Sequence, residues 1–290
     1  MHKLNDRKKT FLIMFMPAII VLVLITIFPF IYAVSISLTD MKISKPQLGV
    51  DFIGFKNYIE LFKYQRFWNA FKNTAIFSFS ALFFETFFGF ILAYLLKDYF
   101  KGRQIVVSFL IAPMVIPPIV SGLTWRFMYD YNIGFINYLM EIIGYKHFAW
   151  LGNPKLALSS LIITDIWQWT PFLMLILLSG LHSLPQEPFE AARVDGASKW
   201  QTLIYITLPM LKKVILIGIL IRSIRLFRTF DTIYIMTEGG PGISTETMSI
   251  GSYLMGFQFF NTGMASAYSL IMLVFMIVVC NIYISISERG

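Results

Sequence analysis

Six long apolar runs dominate the chain, and a polar stretch separates each from the next. They cover Phe11–Leu38, Ala75–Leu96, Ile105–Phe127, Leu156–Leu181, Val214–Met236 and Gly263–Ile286. Each is long enough to cross a bilayer, which takes about 18 or more apolar residues. Lipid offers no partner for backbone polar groups, so segments of this length cross as helices. The pattern therefore predicts an all-α, polytopic membrane protein with six transmembrane helices. No internal repeat or low-complexity tract is visible, and residues 1–290 read as a single membrane domain.

Composition narrows the class. Charged residues make up 14% of the chain and hydrophobic ones 57%, against about a quarter charged in a soluble domain. The net charge of +8 reflects Lys and Arg at membrane edges and not a nucleic-acid surface. Cys280 is the single cysteine and lies within an apolar run, so no intrachain disulfide forms. His2, His147 and His182 are isolated, and no metal-ligand spacing or cofactor motif is present. No metal or cofactor is expected.

The basic residues also set an orientation. With the N-terminus inside, the inner segments hold twelve: Lys3, Arg7, Lys8, Lys9, Lys97, Lys101, Arg103, Arg193, Lys199, Lys212, Lys213 and Arg289. The outer segments hold nine: Lys42, Lys45, Lys56, Lys63, Arg66, Lys72, Arg126, Lys146 and Lys155. Both termini are then cytoplasmic. The basic head and Ala33-Val34-Ser35 mimic a secretory signal, but the first run is too long for a signal core, and an uncleaved anchor is expected. Outside, Phe52–Tyr58 suits an interfacial helix or a plain loop. Gly239-Gly240-Pro241-Gly242 makes a strong turn, followed by a helix over Thr245–Phe259 that either meets a solute-binding protein or simply connects.

The polar stretch over residues 188–208 has its own structure. Pro188 suits the first turn of a helix. Glu190 favours the positive end of the helix dipole. Ala191 and Ala192 form helix readily and let another surface approach closely. Gly196 can turn the chain in the left-handed conformation, and Ser198 can cap a second helix running toward Leu208. A helix, a bend and a second helix are predicted at the cytoplasmic face.

The spacing of Glu190, Ala191, Ala192, Gly196, Ile206, Leu208 and Pro209 resembles the binding-protein-dependent ABC importer permeases. Arg228-Thr229-Phe230-Asp231 and Thr237-Glu238-Gly239-Gly240-Pro241-Gly242 resemble the carbohydrate group of that family, typified by maltose, glycerol phosphate and polyol permeases. Further matches are Lys101-Gly102-Arg103, Trp125-Arg126-Phe127-Met128, Trp150-Leu151-Gly152-Asn153-Pro154 and Leu181-His182-Ser183-Leu184-Pro185. Arg225 and Leu226 depart from it, standing where the family more often carries an acidic and a small residue. The resemblance implies the type I importer permease fold. It also implies a cytoplasmic ATPase whose groove takes the loop, with Glu190, Ala191, Ala192, Asp195 and Gly196 at the coupling positions. A second, similar permease subunit, a pair of ATP-binding subunits and an external solute-binding protein are implied as well.

Charges within the apolar runs carry the remaining chemistry. Arg222, Arg225, Arg228 and Asp231 recur every three residues and would form a slanting stripe on one helix face. A charge at the bilayer centre costs at least about 2.5–3.5 kcal/mol, so the stripe faces the bundle or a wet cavity. Arg228 and Asp231 have the spacing of an i, i+3 pair. The stripe lines a path for a polar solute, or it pairs with Glu85 or Asp165 between helices; the two readings are compatible. Asp165, Gln168 and Trp169, with Trp167, offer the aromatic and hydrogen-bonding groups that sugars use. Pro113, Pro117 and Pro118 break the third run. Three arginines also suit a phosphorylated or acidic solute. No Walker A loop is present, so the energy source lies in another chain. The expected function is the permease half of an ATP-driven sugar importer, not an enzyme. A non-sugar ABC permease is the alternative. An ion-coupled transporter is disfavoured because no inverted repeat is seen.

Overall fold

The computed structural model describes residues 2–43 and 50–288. Lys45 and Arg289, counted in the charge balance, lie outside them. Among the described residues there are thirteen α-helical segments and two π-turns, with no strand beyond isolated bridges at Thr39–Phe52 and Lys42–Asn261. Five helices are long and apolar enough to cross a membrane, and a bent pair makes a sixth span. Packing divides the chain into two compact units, Met1–Tyr64 with Gly251–Leu273 and Gln65–Ile250 with Val274–Gly290.

The first unit carries α1 (His2–Ser37) and the amphipathic α2 (Lys56–Lys63). From Met14 onward, α1 is exposed along most of its length, as expected of a helix that packs on lipid or on another chain. Asn57 on α2 is buried and donates from Nδ2 to the carbonyls of Ser37 and Thr39, each at 2.8 Å. Those bonds satisfy the last carbonyl of α1 and one in the turn that follows it.

The second unit is built on α3 (Gln65–Leu96) and, further along, α7 (Ala157–His182). Between them the third apolar run is not one helix. It forms α4 (Arg103–Val115) and α5 (Pro118–Met128), which meet at 94°. Ile116 and Pro117 both precede a proline, which excludes them from helical backbone, and both are extended. The sequence located this break; the near right angle is a finding of the structure. A helix that the sequence reading missed, α6 (Phe135–Ile142), follows α5.

Beyond α7 come α8 (Glu187–Val194), α9 (Lys199–Thr202), a π-turn over Leu203–Thr207 and α10 (Leu208–Leu226). These last three form one uninterrupted helical run, Lys199–Leu226. The expected fifth span, Val214–Met236, is thereby corrected. The spanning helix ends at Leu226, and α11 (Asp231–Thr237) is a separate element. No proline or glycine marks this break. Gly122 on α5 allows α11 to close in, since a β-carbon there would lie 3.3 Å from Ile235 Cγ2 and 3.5 Å from Thr232 Cα. The turn after α11 is pinned to α3: Glu246 takes both oxygens to Arg66 Nε at 2.7 and 2.9 Å, and Asn73 donates to the Glu246 carbonyl at 3.0 Å. Burial raises the pKa of Glu246, and the Arg66 guanidinium opposes that rise. The helix expected over Thr245–Phe259 is shorter, α12 (Met248–Tyr253), and continues as a π-turn to Gln258; α13 (Thr262–Glu288) is the last span.

Small residues set the helix spacing, as van der Waals packing in lipid requires. At Gly89 a β-carbon would lie 3.1 Å from both Leu173 Cβ and the Met174 backbone nitrogen. Around this contact Ala93, Leu96, Met174, Leu177, Leu178 and Leu211 form a buried cluster. Gly89→Val is expected to force α3 from α7 and cost about 1–3 kcal/mol. The check is thermal melting of the detergent-solubilised protein. Gly152→Ala should leave the melt unchanged, because its β-carbon meets nothing closer than 3.5 Å.

Candidate functional site

Three helices of the second unit converge on one guanidinium. Arg222 of α10 is 1% exposed, and its Nε and Nη2 donate to the two oxygens of Glu85 on α3 at 2.6 and 2.8 Å. Its Nη2 also donates to Asp165 Oδ2 on α7. Glu85 is 0% exposed and Asp165 1%. A bare charge of either sign at this depth would be costly, and only mutual pairing with directed hydrogen bonds makes the arrangement tolerable. One guanidinium thus serves two carboxyl groups from two different helices. Arg225 lies one turn beyond, with its guanidinium 3.6 Å from the centroid of the Trp169 ring, while Arg222 stands 5.2 Å from the same ring. Trp169 is buried while Arg225 is exposed, so the cation–π contact sits at the cavity wall.

These groups wall a cavity of ≈290 Å³. Asp165, Trp169, Arg222, Arg225, Arg228 and Asp231 all line it, together with Thr229, Phe230 and Thr232. The four-residue stripe does not survive as one helix face. α10 stops at Leu226, so Arg228 stands in the connection and Asp231 in the first turn of α11. The i, i+3 geometry is lost, and among the described residues Arg228 and Asp231 form no ion pair with each other. Asp231 is instead placed at the favourable end of the α11 dipole.

Two expected path residues lie elsewhere. Glu85 sits behind Arg222, outside the cavity lining. Gln168 is fully buried and donates from Nε2 to the Ile116 carbonyl at 2.9 Å. That carbonyl is freed by the proline break between α4 and α5, so Gln168 braces the bend. Trp167 turns away from the cavity and packs edge-on against Trp125, with centroids 5.5 Å apart. Residues the sequence reading missed at the cavity are Thr229, Phe230 and Thr232, which carry no charge or helical signature that could have singled them out.

The polar loop between α7 and α10 has a distinct local geometry. α8 carries Glu187 and Glu190 in its first turn and Pro188 near its start. Asp195 caps it, and Gly196 turns the chain at φ +73°, where a β-carbon would meet nothing within 4 Å. Ser198 and Gln201 then form a reciprocal capping box on α9. Glu190, Ala191, Asp195 and Gly196 are exposed. Ala192 differs: it is buried within the chain, so its small side chain serves packing here while Ala191 stays free.

Residues 85–289 match the profile of the family described as "Binding-protein-dependent transport system inner membrane component". The chain belongs to this family. The permease is therefore a multi-pass membrane transport protein. It is 38% identical over 264 residues to a probable ABC transporter permease, y4oQ, of Sinorhizobium fredii, which spans 91% of this chain and 85% of that one. It is 36% identical over 240 residues to the trehalose/maltose transport system permease MalF of Thermococcus litoralis, spanning 82% and 80% of the two chains. In fold it superposes on a chain of a bacterial alginate ABC transporter, solved in complex with an alginate-bound periplasmic protein, with a TM-score of 0.85 over 99% of this chain and 96% of that chain at 23% identity.

Removing Arg222 leaves two buried carboxylates without a counter-charge. Arg222→Ala is expected to destabilise the permease by about 3–5 kcal/mol. Adding Glu85→Ala to it should cost much less than the sum of the single changes, because the second substitution removes a charge the first orphaned. Thermal unfolding of the four proteins in detergent measures the cycle; additive losses would show that the two side chains do not interact.

Proposed function

We propose that this permease is one half of the membrane channel of an ATP-driven, binding-protein-dependent importer of a sugar or closely related polyol. The observation that carries the reading is the helical run Lys199–Leu226. It begins at the capped turn beside α8 and ends at the arginines of the cavity, so a displacement of the cytoplasmic loop is delivered to the solute-facing wall. Glu190, Ala191, Asp195 and Gly196 form the surface offered to an ATP-binding subunit, and Ala192 holds that surface on the body. The chain itself performs no catalysis. Its partners are a second permease subunit, two ATP-binding subunits and an external solute-binding protein. Both termini and α8 lie on the cytoplasmic side.

Sugar chemistry is supported by the likeness to the trehalose/maltose transport system permease of Thermococcus litoralis, and by the cavity's combination of an indole face with guanidinium, carboxylate and hydroxyl groups. Arg222 is spent on Glu85 and Asp165. Arg225 and Arg228 are left facing Asp165 and Asp231, a balanced set that does not single out an acidic solute. Arg225→Gln is accordingly expected to weaken transport without converting it to exclude neutral sugars.

The complete assembly in proteoliposomes should accumulate its sugar only with ATP. Ala191→Arg should leave basal ATP hydrolysis of the ATP-binding subunits intact and reduce solute-stimulated hydrolysis by tenfold or more, since a long cation cannot enter a close contact. Accumulation by the permease without any ATP-hydrolysing subunit, or labelling of an Ala191→Cys variant from the outer side, would refute the reading.

A further inference from the structure

The inner cavity leaves three sequence motifs unexplained: Trp125-Arg126, Trp150-Leu151-Gly152 and Thr237-Glu238 with Gly240-Pro241. The structure brings all three together around a second cavity of ≈490 Å³ in the same unit. Its wall carries Tyr129 and Trp150 beside Arg126, Asp130 and Glu238.

The aromatic part is held in advance of any ligand. Trp150 donates its indole N–H to Asn137 Oδ1 at 2.9 Å. Asn137 is 0% exposed, and every polar atom of its side chain is engaged on this loop. Its Oδ1 also accepts from Phe148 N at 3.0 Å, and its Nδ2 donates to the carbonyls of Asp130, Tyr131 and Phe148 at 3.0–3.2 Å. With the N–H satisfied, the indole plane is fixed and its polar edge needs nothing from a ligand. Ring contacts then continue inward, from Trp150 to Tyr129 at 5.9 Å, to Trp125 at 5.3 Å and to Trp167 at 5.5 Å. Trp167 stands two residues from both Asp165 and Trp169 of the inner cavity.

The charged part is fixed but not neutralised. Arg126 is anchored by one bond, Nη1 to the Ile235 carbonyl at 3.0 Å, which leaves most of its donors unused. Asp130 Oδ1 accepts from the backbone N–H of Ile133 and Asn132, and these bonds hold its pKa below the ordinary value, so it is ionised at neutral pH. Glu238 is exposed at the left-handed end of α11. Among the described residues, Arg126, Asp130 and Glu238 make no ion pair. Arg126 and Glu238 are exposed and Asp130 is partly so, which leaves all three charges open to a ligand at the cavity wall.

A preoriented indole ringed by planar charged groups matches one ligand chemistry. A sugar ring sets its C–H face on the aromatic plane, while its hydroxyls donate to carboxylates and accept from a guanidinium. We propose that this cavity is an outer saccharide subsite of the permease, where a sugar ring stacks on Trp150 and meets Asp130, Glu238 and Arg126. The subsite rests on the reading of the solute as a sugar and adds a second station on its route.

The test uses the complete transporter in proteoliposomes with Cys280→Ser and Gly152→Cys, the latter placed where a β-carbon has room on the cavity wall. An impermeant maleimide is added from the outside, with and without trehalose, maltotriose or an alginate tetrasaccharide at millimolar concentration, and uptake of each sugar is measured in the same preparation. The sugar that is transported should slow labelling at least fivefold in the absence of the solute-binding protein. Trp150→Ala should abolish this protection, Trp150→Phe should retain it, and Glu238→Gln should raise the concentration needed by about tenfold. Should Trp150→Ala fail to assemble, the Phe and Gln variants still decide the matter. The proposal is overturned if a transported sugar gives no protection, or if protection comes only from the sugar-free binding protein, which would make the cavity a protein-docking pocket. It is also overturned if protection survives both Trp150→Ala and Glu238→Gln. If none of the sugars is transported with ATP, the sugar reading itself fails, and the uptake arm shows this separately from the labelling arm.

Discussion

The bridge from Arg222 to Glu85 and Asp165 is the constraint on which the second unit depends. It ties α3, α7 and α10 at one buried point, and each partner would be intolerable there alone. The bridge also fixes the register of α10 along its axis. That register places Arg225 over Trp169 and ends the helix beside the cavity. A buried ion cluster is weak evidence for stability, but it discriminates sharply between alternative packings. A shift of one residue along α10 would present Ile221 or Ser223 to two carboxylates.

The same bridge separates two kinds of polar residue within the membrane. Arg222, Glu85 and Gln168 hold the protein together, the last by capping the carbonyl exposed at the bend between α4 and α5. Arg225, Arg228 and Asp231 are left to face the cavity. The division is imposed by saturation: once Arg222 has met both carboxylates, its donors are unavailable to a solute. The π-turn at Leu203–Thr207 then acquires meaning from its position. It sits between the capped loop and the long helix that ends at these residues, where an extra residue per turn loosens the hydrogen-bond ladder without interrupting the rod.

Glycine contacts complement this polar anchor. Gly89 and Gly180 let α3, α7 and α10 approach until side chains interlock, which supplies the packing that lipid cannot drive by hydrophobicity. The result joins a close-packed wall around the buried charges to a looser, polar wall built from the connection between α10 and α11. The polar cavity wall and the close helix packing are thus assigned to different segments of the same chain.

Much of this was legible in the chain itself. Run lengths and hydropathy specified an all-helical membrane protein, because lipid permits little else at those lengths. The loop around Gly196 was equally readable, since its proline, acidic first turn, left-handed glycine and serine cap act through local backbone geometry. Prolines at 117 and 118 marked the break in the third span, but not its near right angle, which depends on what α5 packs against. Tertiary structure alone decided that α10 ends at Leu226, a position without a local breaker, where the close approach of α11 to Gly122 wins over continued helix. It alone decided that Arg222 is consumed by two carboxyl groups while Arg225 stacks on Trp169, because charges far apart in sequence meet only when three helices do. And it alone brought Arg126, Trp150 and Glu238 to one cavity, for no periodicity within a chain records which loops share a wall.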